Sequence, residues 1–79
     1  MKYLINEGVI SYLIGNDEFV IYNSNDDLLM ILNNEGQMIW ENIEDEEKLA
    51  KLISTCGYAN ECLDIIKALE EKGCIQGVK

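Results

Sequence analysis

The side chains that most often carry out chemistry in proteins are scarce in this sequence. It contains three cysteines, Cys56, Cys62 and Cys74, and neither histidine nor arginine. Zinc sites usually include a close Cys-x-x-Cys pair, and no such pair occurs here. A cysteine nucleophile needs an activating base or cation, and nothing in the sequence identifies one. We therefore predict no metal site, no cofactor and no enzymatic activity. The odd, irregular set of cysteines also argues against a disulfide framework, so we expect reduced thiols.

The carboxylates are numerous but are not arranged for catalysis. Fifteen acidic residues oppose six lysines, which gives a formal net charge of −9. Pairs such as Asp26–Asp27 are adjacent in sequence and are expected to be solvated, so no division into acid and base follows. The loop at residues 23–27 lacks the glycine and the distal glutamate of an EF-hand, and we interpret it as a turn. The acidic run at residues 44–47 is typical of a helix start, and guidance of a lysine-rich partner is its alternative use.

Charge and length limit the classes of partner. A strongly acidic surface repels nucleic-acid phosphates and anionic membranes, so we predict neither as a partner and expect a cationic or neutral peptide or protein instead. Seventy-nine residues predict one domain, residues 1–79. No apolar run approaches the roughly 18 residues of a membrane span. Residues 1–7 contain no long apolar segment of the secretory kind, so we expect a cytoplasmic protein.

The N-terminal half has the pattern of a three-stranded sheet. We predict a first strand over residues 8–15 and a turn at Asn16-Asp17. Residues 18–22 are rich in β-branched and aromatic side chains, which indicates a second strand. Five turn-forming residues follow, and the apolar run Leu28–Leu32 predicts a third strand. Short connections between consecutive strands favour an antiparallel meander.

The C-terminal half predicts three helices. Asn33 and Asn34 are N-cap residues, and Gln37 can complete a capping box with Asn34 for a helix over residues 34–43. Its apolar face has helical spacing and consists of Gly36, Ile39, Trp40 and Ile43. A second helix begins in residues 44–47, with apolar positions Leu49, Leu52 and Ile53, and stops at Cys56-Gly57. A third begins near Asn60, stops at Lys72-Gly73 and has a core stripe of Cys62, Ile65, Ile66 and Leu69. Residues 74–79 are expected to form a short tail.

Two motifs in this order resemble the PqqD-like family, also called RiPP recognition elements. In that family an apolar strand ends in Leu-Asn, and a small residue and then Ile-Trp follow on the first helix. Leu32-Asn33, Gly36 and Ile39-Trp40 match this pattern. The closing family pattern is a Leu, two or three charged residues, Gly and an aliphatic pair, and residues 69–75 are similar to it. The likeness covers roughly residues 8–75, and residues 43–46 depart from the turn that members often carry before the second helix.

The resemblance implies a fold and a function. The fold is α+β and winged helix-turn-helix-like, with a three-stranded antiparallel sheet followed by three helices (βββααα). The function is that of a peptide chaperone in ribosomal peptide natural-product biosynthesis. Such a domain binds the leader region of a precursor peptide and presents it to an enzyme such as a radical-SAM maturase or a lasso-peptide protease or cyclase. The leader adds as a strand to the third strand and packs against the third helix. The implied peptide-binding residues are Leu28, Leu29, Met30, Ile31, Leu32, Ala59, Leu63, Ile66, Lys67 and Glu70.

The third strand is apolar at every position, which is unusual for a small sheet with one wet face. If Leu28, Met30 and Leu32 face the core, then Leu29 and Ile31 point the other way. Either another helix covers that second face, or the strand is an exposed edge that can receive an incoming strand. A free strand edge can also pair with the same edge of a second copy, so a homodimer is a further alternative. Leu63 lies off the core stripe of the third helix, where an ordinary surface contact is the alternative to a peptide contact.

Two other functional classes remain open from the sequence. A winged-helix DNA-binding regulator needs a basic recognition helix, whereas the third helix carries Lys67 and Lys72 against four carboxylates. A non-catalytic subunit of a larger enzyme can pair its third strand with that enzyme.

Overall fold

The computed structural model describes residues 2–15, 18–57 and 59–78. Within these residues the elements are, in order, β1 (Lys2–Ile5), β2 (Val9–Ile14), β3 (Glu18–Asn23), β4 (Leu28–Leu32), α1 (Asn34–Glu41), α2 (Glu46–Thr55), α3 (Ala59–Glu71) and β5 (Ile75–Val78). The chain is therefore a small α+β domain. The turn predicted at Asn16-Asp17 lies outside the described residues.

The predicted three-stranded sheet is confirmed as β2-β3-β4, antiparallel throughout. β3 is its central strand and carries the buried residues Phe19, Val20 and Ile21. Side chains alternate between the two faces of a strand, so Phe19 and Ile21 point to the helices and Val20 points to the outer face. The register pairs Val20 with Tyr12 on β2 and with Ile31 on β4.

The predicted order of three strands followed by three helices is wrong at both ends. β1 pairs antiparallel with β5, from Lys2 opposite Val78 to Ile5 opposite Ile75, so the segment expected to be a tail is a strand. Cys74 and Ile75 are 0% and 2% exposed, and their burial holds the strand against the domain. The side chain of Asn6 fastens the pair by donating through Nδ2 to the carbonyl oxygen of Gly73 at 2.7 Å.

The three predicted helices are confirmed, with one correction at a cap. Asn33 is the N-cap of α1, and its side-chain oxygen accepts a hydrogen bond from the backbone N–H of Gly36 at 2.9 Å. The capping box expected between Asn34 and Gln37 is wrong because the third residue after this cap is glycine, which has no side chain to reach back. Asp45 caps α2 by accepting from the N–H of Lys48 at 3.0 Å.

Two glycines stop the other helices in the left-handed backbone region that favours this residue. Gly57 follows the C-cap of α2 with φ +76°, and Gly73 follows α3 with φ +75°. Both stops agree with the sequence prediction. They turn the chain sharply, so that α3 packs back on α1 and α2, and β5 returns along β1.

The core lies between the inner face of the sheet and the helices. Its buried members come from every element except β2, and from the segments beside the helices: Tyr3, Phe19, Ile21, Leu32, Ile39, Trp40, Ile43, Leu49, Cys62, Ile66, Leu69, Cys74 and Ile75. The predicted faces of α1 and α3 supply six of them. Within residues 2–15, 18–57 and 59–78, no helix is long and apolar enough to cross a membrane.

Candidate functional site

β4 has the alternation that its sequence predicts. Leu32 is buried, and Leu28 and Met30 are half-buried on the same, inner face. Leu29 and Ile31 point to the outer face and are 53% and 61% exposed. A covering helix, one of the two explanations for this apolar strand, is therefore not found among the described residues. The outer face of β4 meets solvent.

The backbone of β4 also has a free edge. The strand order β2-β3-β4 places it at the side of the sheet, and in the part of the chain that the structure describes it pairs with β3 alone. Alternate N–H and C=O groups along such an edge point away from the sheet and are available to another strand. A strand of five residues spans about 17 Å, enough to hold a short extended peptide.

α3 runs beside this strand on its inner side. At one end, Asn23 Nδ2 donates to the carbonyl oxygen of Lys72 at 3.0 Å, and Asn23 is paired with Leu28 at the start of β4. Met30 Sδ lies 3.9 Å from Cys74 Sγ just beyond the helix. At the other end, Glu35 after β4 and Cys62 near the start of α3 line the same small cleft. α3 therefore runs antiparallel to β4.

The structure does not bring all of the implied peptide-binding residues together. Leu63 is 51% exposed, and it lies in an open groove of about 240 Å³ between α3, α2 and β1. The lining residues of this groove are Tyr3, Glu46, Leu49, Ala50, Ile53, Leu63 and Ile66, and none belongs to β4. Ile66 is only 3% exposed and belongs to the hydrophobic core. Ala59, Lys67 and Glu70 are exposed on the surface of α3.

The opposite shoulder of α3 carries Ile65 and Ala68. Successive helical residues are about 100° apart, so Ile65 lies about 200° from Leu63, on the opposite side of the stripe formed by Cys62 and Leu69. Ile65 and Ala68 are half-buried there. The sequence prediction placed Ile65 in the core stripe, and in the structure it is half-buried and packs against the edge of the core. Leu63, the implied peptide contact, lies on the shoulder that faces α2 and β1.

Asn23 is a positioning residue that sequence reasoning missed. It is 1% exposed, and its amide donates to Asp26 Oδ2 at 3.2 Å as well as to Lys72. Its side-chain oxygen accepts from the N–H of Asn25 at 3.0 Å. Buried polar groups need such partners, and here the partners join the β3–β4 turn to the end of α3. The sequence signal was only one asparagine among several turn residues.

The cysteines are free thiols, and two of them are neighbours. Cys56 Sγ and Cys62 Sγ lie 3.2 Å apart. Burial, together with this hydrogen bond, raises the pKa of the Cys62 thiol to about 11, and burial also raises the pKa of Cys74. Both pKa shifts disfavour the thiolate that a nucleophile or metal ligand requires. No group of three Cys, Asp or Glu side chains able to hold a metal ion is present in the described ranges.

Comparisons of the chain with family models, with curated proteins and with solved structures found no match. The likeness to the PqqD-like family therefore depends on the two motifs, around Trp40 and around Gly73.

Proposed function

We propose that this protein binds the leader region of a ribosomally synthesised precursor peptide and presents it to a modifying enzyme. The observation that carries the proposal is the free edge of β4 with α3 alongside it. An edge strand supplies backbone hydrogen bonds to any extended peptide, and the neighbouring helix supplies side-chain selectivity. In this proposal the domain has a winged-helix arrangement, with the sheet as the wing, and acts in the cytoplasm, where its thiols stay reduced.

Binding proceeds by strand addition. The leader pairs antiparallel or parallel with β4 and extends the sheet to four strands. Its side chains then alternate between the two faces of the sheet. Those on the inner side meet the shoulder of α3 formed by Ile65 and Ala68, and those on the outer side lie next to Leu29 and Ile31. The half-exposed state of these side chains provides the apolar surface that a peptide can cover.

Presentation requires no catalytic group from this domain. A leader held on β4 keeps the attached core segment close to an enzyme that binds the same domain. The encounter between enzyme and core segment becomes nearly intramolecular, at effective concentrations in the millimolar range for short flexible connections. The enzyme in this proposal is a radical-SAM maturase or a lasso-peptide protease or cyclase, as the family likeness implies.

Charge favours a cationic leader. The chain carries a net charge of −9, so lysine or arginine side chains beside the peptide's apolar positions are attracted over the Debye length of about 10 Å. The acidic run at residues 44–47 already has structural tasks. Glu44 Oε2 accepts from the N–H of Ile5 at 3.0 Å, and Asp45 caps α2. Steering by this run is therefore a second role for residues that the fold itself uses.

Peptides selected from a display library of random 16-residue segments test this proposal. Bound peptide is expected to slow hydrogen exchange at alternate backbone amides of β4. Ile65→Ala is expected to weaken binding about five- to thirtyfold, because the lost apolar contact is worth about 1–2 kcal/mol. Leu63→Ala removes a side chain of equal size from the opposite shoulder and is expected to leave affinity unchanged. Circular dichroism must show both variants folded at the temperature of the titration.

Three results contradict the proposal in different ways. If the peptide slows hydrogen exchange at β2 amides and not at β4 amides, it binds to the opposite edge of the sheet. If Ile65→Ala binds as tightly as the parent protein and Leu63→Ala binds more weakly, the peptide binds in the groove between α2 and α3. Absence of any selected binder, together with co-purification of a large enzyme that protects β4, favours the subunit function instead.

A further inference from the structure

The outer face of the three-stranded sheet is an apolar surface with no layer over it. In the register of the sheet it carries Ile10, Tyr12 and Ile14 from β2, Val20 and Tyr22 from β3, and Leu29 and Ile31 from β4. Five of these residues, Ile10, Tyr12, Ile14, Leu29 and Ile31, are between 41% and 61% exposed. Together they present on the order of 500 Å² of surface, near the upper end for the largest apolar patch of a monomer. We define these seven residues as the outer face.

Val20 is buried by its neighbours on the outer face itself. It is 1% exposed, although it points away from the helices and is not part of the main hydrophobic cluster. Its cross-strand partners, Tyr12 and Ile31, are close enough to pack against it. A sheet with an apolar face is normally covered by a second layer, and here the described chain provides that layer on one side only.

The charged residues within the three-stranded sheet and its turns are all acidic. Residues 8–33, which contain the whole sheet, include no lysine or arginine. Glu18 borders the outer face at one end of β3, where it is paired with Ile14. At the other end the hydroxyl of Tyr22 donates to Asp27 Oδ1 at 2.7 Å, which holds that carboxylate beside the face. The apolar centre is thus bordered by carboxylates at both ends of the strands.

From this pattern we infer that the outer face is the docking surface for an amphipathic helix of another protein, with lysine or arginine side chains at both ends of its apolar stripe. Three strands spaced about 4.8 Å apart match the roughly 10 Å diameter of one helix, and six strand residues span about 20 Å, the length of about 13 helical residues. A second copy of this chain fits worse, because aligned face-to-face packing of two such sheets brings Glu18 or Asp27 against carboxylates of the same kind.

This inference does not depend on the proposed leader binding. It concerns one face of the sheet, whereas the leader pairs with the β4 edge. Ile10 and Ile14 lie on β2, and β3 separates them from β4. Variants of these two residues therefore test the docking surface and leave strand addition intact.

The probes are two designed helical peptides of 14 residues with the same leucine stripe, one flanked by lysines and the other by glutamates. The lysine peptide is expected to bind at least tenfold more tightly in fluorescence anisotropy, and to weaken when salt rises from 50 to 500 mM. The double variant Ile10→Thr, Ile14→Thr keeps β-branched side chains on the strand and is expected to weaken binding at least fivefold. Leu13→Thr is the matched control, because Leu13 is 54% exposed on the same strand but points to the opposite face.

Four outcomes overturn the inference. The first is failure of the lysine peptide to bind. The second is equal binding of the glutamate peptide. The third is an equal loss in the Leu13 variant, which would show that the loss comes from a general change in β2 and not from the outer face. The fourth is a dimer in sedimentation that the double variant disperses and that high salt strengthens, which would assign the face to a second copy.

Discussion

Replacing Asn23 with aspartate tests the connection between the sheet and α3 directly. The change keeps the shape of the side chain and the oxygen that accepts from Asn25. It removes both amide donations, to Asp26 Oδ2 and to the carbonyl oxygen of Lys72, and puts a carboxylate against another carboxylate. The carbonyl oxygen of Lys72, left without this donor, costs about 1–3 kcal/mol. Asp26 is exposed and can bind water instead, but a buried carboxylate beside it adds to the cost.

We expect Asn23→Asp to lower the free energy of unfolding by about 3–5 kcal/mol at pH 7.5. A domain of 79 residues has about 4–12 kcal/mol in total, so the variant is marginal but measurable. Asn23→Ala removes the same hydrogen bonds without adding charge and is expected to cost less, about 2–3 kcal/mol. Urea unfolding followed by the fluorescence of the buried Trp40 measures both.

The pH dependence of the free energy of unfolding separates the effect of the added charge from the effect of the lost hydrogen bonds. Burial and the nearby Asp26 raise the pKa of the introduced carboxyl in the folded state above its unfolded value near 3.9. The folded variant therefore binds this proton more tightly, and its penalty shrinks as pH falls towards 4.5. Asn23→Ala has no such group. A penalty for Asn23→Asp that equals that of Asn23→Ala at pH 7.5, or that stays constant down to pH 4.5, would refute the reasoning.

Three further outcomes are expected. Gly36→Ala should lower the free energy of unfolding by about 1–2 kcal/mol in spite of the better helix propensity of alanine, because the added Cβ would lie 2.8 Å from the Cβ of Leu32; urea unfolding measures the loss. Mild oxidation with diamide should join Cys56 to Cys62, which are 3.2 Å apart, and leave Cys74 as a thiol in peptide mass mapping. Gel shifts with random duplex DNA at physiological salt should show no complex, and a salt-sensitive micromolar shift would favour the DNA-binding regulator.

The sequence was sufficient where structure is decided locally. The apolar run Leu28–Leu32 and the glycine stops at Gly57 and Gly73 each depend on a few adjacent residues, and each was placed correctly. The pairing of β1 with β5 joins residues 70 to 76 positions apart, and neither strand has a turn beside it that points to the other. Their four-residue lengths are also too short for a clear alternation of apolar and polar side chains.

The β1–β5 pair, absent from the sequence prediction, is also what decides the position of the candidate site. β5 passes beside the shoulder of α3 that carries Leu63 and Glu70, since a Cβ on Gly77 would lie 3.3 Å from Glu70 Oε2. β1 contributes Tyr3 to the groove around Leu63, where burial, and then Glu70, raise the pKa of its hydroxyl. β1 and β5 therefore lie along this shoulder of α3. We therefore propose that a strand added at the free edge of β4 meets α3 on its opposite shoulder, which carries Ile65 and Ala68.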